Sequence, residues 1–113
     1  MDDPRAQLER ERQKTIERLA SLTEDFDKVV AASRDSNADD EHDPEGSTIA
    51  FERSQLGALT EQAQRTLTEI DAALARVAAG TYATCERCGR PISAERLQAR
   101  PVVRTCIDCA SGR

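Results

Sequence analysis

Four cysteines stand in two close pairs toward the C-terminal end of this 113-residue chain: Cys85 and Cys88 in CERC, Cys106 and Cys109 in CIDC. The spacing is C-x2-C-x17-C-x2-C. A two-residue gap lets both thiolates of a knuckle reach one ion, and two knuckles complete a tetrahedron. Gly89, directly after Cys88, permits the sharp turn of a knuckle. The only histidine, His42, is far away in the sequence, so all four ligands are expected to be cysteines. Four thiolates leave no open coordination position, which points to one structural Zn2+ rather than a catalytic ion. A disulfide pair or an iron–sulfur cluster fits the pattern less well, and a thiol redox switch is a lesser alternative. Metal binding on the order of 10 kcal/mol would fold a segment that has almost no core. With the cysteines engaged, no nucleophile–base constellation is left, and no enzyme is expected.

The second chemically marked stretch is DDEHDPE, residues 39–45, with five acids in seven positions. Residues 34–45 hold one arginine against six acids, whereas residues 80–113 hold six arginines against three acids. An acidic turn and a cationic metal-binding base must therefore be positioned by what lies between them.

Two helices are predicted to do this. Residues 3–33 open with Asp3 and Pro4, an N-cap followed by proline at the first helical position. Leu8, Ile16, Leu19, Leu22, Phe26 and Val29/Val30 then recur in steps that make a narrow stripe, interrupted by Arg12. Residues 48–78 carry a more regular stripe of Leu56, Leu59, Ala63, Leu67, Ile70, Leu74 and Val77. Asp43 before Pro44 offers an earlier start, Gly57 weakens the interior, and Gly80 supplies the stop. Folding back at residues 34–47 pairs Phe26 with Leu56, Leu22 with Leu59, Leu19 with Ala63, Ile16 with Leu67 and Leu8 with Leu74. The residue numbers of each pair sum to nearly the same value, as an antiparallel hairpin requires. Arms of about 30 residues would be roughly 45 Å long. A compact bundle would need more apolar faces than these helices offer.

The expected fold is therefore mainly α: a long antiparallel two-helix coiled-coil hairpin, residues 1–79 with an acidic tip at 34–47, and a small C-terminal four-cysteine zinc-finger domain, residues 80–113. Ser93 should cap a short helix over residues 94–98, with Ile92, Leu97 and Val102 as the finger's small core. Only 38% of the chain is apolar and 3% aromatic, which suits a seam and a metal staple better than a thick globular core. The net charge of −5 argues against a non-specific DNA binder, and no specific DNA binding is expected. No apolar run is long enough to span a membrane and no signal peptide is visible, so a cytoplasmic location is expected.

The run GTYATCERCG at 80–89, PI at 91–92, RLQARP at 96–101 and CIDC at 106–109 closely resembles the zinc-finger signature of the DksA/TraR family of bacterial transcription factors. The hairpin resembles the family's coiled coil in length and polarity. The resemblance implies a partner, RNA polymerase, and a mechanism. The coiled coil enters the polymerase secondary channel, its tip lies near the active centre, and initiation is modulated, often with guanosine tetraphosphate in the stringent response. The family's tip pattern is Asp-x-x-Asp-x-Ala. Asp40 and Asp43 match it, and Glu45 stands in place of the alanine. At the family's alarmone site Arg100 matches, whereas Glu69 and Ala110 align with two lysines. That exchange makes guanosine tetraphosphate a doubtful ligand, with weak or no binding expected. Arg96 matches a position that contacts polymerase. A zinc-finger nucleic-acid binder and a coiled-coil adaptor are the alternative readings. Acidity and the scarcity of aromatic residues, with Tyr82 alone in the finger, weigh against the former.

Overall fold

The computed structural model describes residues 3–35 and 44–112, with the side chains of 35 and 44–46 excepted. Four helices follow one another: α1 (Pro4–Asp35), α2 (Pro44–Ala79), α3 (Ala94–Ala99) and α4 (Ile107–Ala110). No β-strand occurs among the described residues. The sequence placed α2 at 48–78. It begins at Pro44, the earlier start that the Asp43–Pro44 pair offered, where proline's missing N–H costs nothing in a first turn. Asp3 caps α1: its Oδ1 accepts from the Arg5 N–H at 3.4 Å, and its carbonyl accepts from Gln7 N–H at 3.1 Å. At the other end of the pair Gly80 takes φ 78, a left-handed conformation that lets Thr81 N–H close back on Arg76 O at 2.9 Å.

α1 and α2 run antiparallel and in contact. Two compact units form along the chain, one of residues 1–14 with 67–113, the other of residues 15–66. In the first, Leu8 is fully buried against Ile70 and Ala73, and Leu74, Val77, Tyr82 and Val102 pack around them. Val102, expected in the finger's small core, packs against the helix-pair core. Arg12, which interrupts the apolar stripe, meets Asp71: Nε to Oδ1 is 2.7 Å. Both side chains are close to half exposed, so the pair fixes register more than it stabilises. In residues 15–66, Leu22 and Ala63 are buried, and Phe26 and Gly57 line one crevice. The register therefore agrees, within about a turn, with the pairing that the two stripes require.

Burying Leu8 completely should make its truncation expensive. Leu8→Ala is expected to destabilise the protein by about 2–5 kcal/mol, read from thermal or denaturant unfolding. A loss below about 1 kcal/mol would place the main core elsewhere.

Candidate metal centre

The first knuckle begins where α2 stops. Residues 83–92 fold back on themselves: Ile92 N–H donates to Ala83 O at 2.7 Å, Cys85 N–H to Arg90 O at 2.7 Å, and Gly89 N–H to Cys85 O at 3.0 Å. A single antiparallel bridge joins Thr84 and Pro91. Gly89 sits at φ 78, a conformation that a side chain would strain. Ile92 is buried behind the knuckle. Ser93 then caps α3 by accepting from the Arg96 N–H at 3.2 Å. The second knuckle is the start of α4, with Cys106 as its N-cap and Ala110 N–H bonded to Cys106 O at 3.0 Å. Glu86 N–H donates to Arg104 O at 2.8 Å, which ties one knuckle to the other. A loose Arg104–Glu86 ion pair, 3.8 Å, lies beside it.

This framework brings all four predicted ligands together. The Sγ atoms of Cys85, Cys88, Cys106 and Cys109 lie within 4.8 Å of one another, and Cys88 Sγ to Cys106 Sγ is 3.7 Å. A disulfide needs about 2.05 Å. Sulfurs each about 2.3 Å from a central zinc at tetrahedral angles stand close to that 3.7 Å separation. The donor set thus fits one structural zinc ion. Cys85 is buried and Cys88 exposed.

Proton affinities say the same in electrostatic terms. Burial pushes the Cys85 thiol up. The N–H groups of Cys88, Cys106 and Arg87 and the Cys88 thiol together outweigh it and hold Cys85 down at about 6. Burial pushes Cys109 up, and its thiol neighbours Cys106, Cys88 and Cys85 add to that, to about 12. The cluster welcomes one thiolate and resists the next. A divalent cation at the centre removes that resistance.

A strap of backbone connects α3 to the second knuckle, and side chains from three directions bind its carbonyls. Arg76 Nη2, from α2, lies 3.3 Å from Val102 O and 3.4 Å from Val103 O. Tyr82 donates its hydroxyl to Pro101 O at 2.8 Å. Arg96 donates Nε to Thr105 O at 2.9 Å. Burial, and then Arg104 nearby, lower the Arg76 pKa, and its Nε is buried with no partner among the described residues. Sequence reasoning missed Arg76 altogether and weighed Tyr82 only as a stacking surface. The available signal was a lone arginine in the last turn of an apolar-striped helix.

Of the remaining expected site residues, Arg96 and Arg100 line one open cleft of about 340 Å³ together with Glu69, Glu86, Arg104 and Ala110. Three residues singled out from distant parts of the sequence, Glu69, Arg100 and Ala110, thus share one site. Asp40 and Asp43 lie outside the described residues, and for Glu45 only the backbone, in the first turn of α2, is described.

A four-cysteine zinc finger seated on an antiparallel helix pair defines the class. The family model for the prokaryotic DksA/TraR C4-type zinc finger matches residues 80–113. Transcription factor DksA2 from Pseudomonas aeruginosa superposes with a TM-score of 0.82 at 26% identity, covering 96% of this chain and 78% of that one. General stress protein 16O of Bacillus subtilis (strain 168) is 31% identical over 88 residues, 78% of this chain and 50% of the relative. A protein of Aquifex aeolicus (strain VF5) is 53% identical over 45 residues, 40% of this chain and 31% of the relative. The matches thus span half or less of these two curated relatives. The finger, residues 80–113, is of the DksA/TraR C4 type, and the chain shares the fold of transcription factor DksA2.

Zinc affinity should carry the signature of the sulfur cluster. Each bound proton must be displaced by the metal, and Cys85 takes one up as pH falls through about 6. A competition titration should therefore find log affinity falling more steeply with pH below about 6 than above it. An unchanged slope across that point would contradict the assignment.

Proposed function

We propose that this chain is a non-enzymatic transcription regulator that binds RNA polymerase and carries the turn between α1 and α2 into the secondary channel. The observation that carries this reading is the likeness to transcription factor DksA2 over 96% of the chain, finger and helix pair together. The chemistry of the turn adds support. Asp40, Asp43 and Glu45 place carboxylates where α1 gives way to α2. In a channel that leads to catalytic magnesium, such groups act by field and by competition for cations and mobile basic elements. Glu45, where the family pattern has alanine, would add a further negative charge to that turn.

In the same reading, the cleft of Glu69, Arg96, Arg100 and Ala110 faces polymerase. Arg96 is half-buried and committed to the strap, so it presents only part of its guanidinium outward. Glu69 and Glu86 put two carboxylates into a site that a nucleotide polyphosphate would otherwise share with three arginines. The two carboxylates weaken the attraction of this cleft for a polyphosphate, so weak or no binding of guanosine tetraphosphate is expected there.

Titration against RNA polymerase core, coupled to promoter open-complex lifetimes, tests both parts. Wild type is expected to bind and to change the lifetime. Asp40→Ala/Asp43→Ala should bind but lose the effect, and guanosine tetraphosphate should leave either result unaltered. Failure of wild type to bind polymerase, or an effect that survives the double substitution, would defeat the proposal. Potentiation by the alarmone that Arg100→Ala abolishes would defeat its second part.

A further inference from the structure

The four cysteines of the metal centre are chemically alike but not equally sheltered. Cys85 is only 2% exposed, Cys106 and Cys109 are partly buried, and Cys88 is exposed. The difference follows from where the backbone puts each of them. Cys85 stands beside the Thr84–Pro91 bridge, with its N–H on Arg90 O at 2.7 Å and its carbonyl accepting from Gly89 N–H at 3.0 Å. Three further N–H groups, those of Arg87, Cys88 and Cys106, donate to its sulfur. Cys106 and Cys109 are held by α4, one as its N-cap and the other within it. Their carbonyls accept from Ala110 N–H at 3.0 Å and from Gly112 N–H at 3.2 Å. Cys88 instead ends the turn of residues 86–88, outside any helix. The space beside it is open, since a Cβ added at Gly89 would meet no atom within 4 Å.

Two physical effects then point the same way. An N–H donor draws charge from a thiolate and occupies a lone pair that an electrophile needs. Burial blocks approach, whereas a partly exposed thiolate can be reached. Cys85 has both protections. Cys88 spends its own N–H on the Cys85 sulfur and lies where solvent reaches it.

We propose that Cys88 is a modification site: a soft carbon electrophile adds to its sulfur first, and Cys85 is the last of the four to react. In such an addition the thiolate lone pair forms a C–S bond to an activated alkene, and the carbon left anionic takes a proton from water. The resulting thioether is a poor zinc ligand, so the donor set falls from four thiolates to three. This inference rests on the zinc assignment and is independent of polymerase binding.

Protein whose zinc content has been measured is treated with substoichiometric N-ethylmaleimide. Samples quenched over time are mapped by peptide mass spectrometry, and free zinc is read with a chromogenic chelator. Cys88 should be modified about tenfold faster than Cys85, with zinc appearing in step with the Cys88 adduct. Cys88→His, which keeps a zinc ligand but removes the reactive sulfur, should slow maleimide-driven zinc release by about the same factor. If that variant does not fold, the wild-type map decides alone. Earlier modification of Cys85, Cys106 or Cys109 would overturn the proposal and leave the metal assignment standing. So would equal rates at all four sulfurs, as opening of the whole finger would give, or no reaction at any of them. Protein that holds no zinc would overturn the metal assignment and this inference with it.

Discussion

Four sulfurs converging on one point are the constraint from which the C-terminal third takes its shape. Helices of six and four residues cannot hold themselves in water, and the finger buries little apolar surface of its own beyond Ile92. A tetrathiolate zinc supplies what the core does not. It also settles an electrostatic conflict: Cys85 ionises readily, Cys109 resists ionisation, and only a cation among them lets all four act as ligands.

The constraint reaches the helix pair through the 101–105 strap. Its carbonyls are bound by Arg76 from α2, by Tyr82 from the first knuckle and by Arg96 from α3. Tyr82 serves twice, since its ring also packs against the Leu8, Ile70 and Ala73 core. Metal geometry, strap and core are therefore one mechanical system. Arg100 and Arg104, which line the polar cleft, are placed by the same stretch of backbone.

Much of this was legible in the residues. Two-residue gaps between cysteines have one common use in a chain whose four cysteines all fall in such pairs and which has one distant histidine, and the apolar stripes carried the antiparallel register because a seam needs complementary spacing. Ser93 and Gly89 announced a cap and a turn for stereochemical reasons that hold anywhere. Ala73 was not legible: it is fully buried, yet alanine is equally at home on an exposed helix face, so its type carries no signal. That Val102 packs on the helix-pair core was not legible, because packing across the helix–finger junction depends on tertiary geometry that spacing does not encode. Arg76 escaped for a related reason. An arginine in a last helical turn reads as a dipole partner, whereas its actual acceptors lie 26 and 27 positions away. The polar cleft was half legible, since likeness to a family singled out Glu69, Arg100 and Ala110 without showing that Glu86 and Arg104 stand among them.

Coupling of the metal to the strap is the claim on which the rest depends, and amide hydrogen exchange with and without a zinc chelator tests it most directly. Removing zinc should strip protection from the amides of residues 83–92 and 101–110 together, as one cooperative unit, and leave those of 15–30 largely protected. Unaltered protection of Cys85, Ile92 and Val103 after complete zinc removal would contradict the account, because those amides would then be held by something other than the four-sulfur clasp.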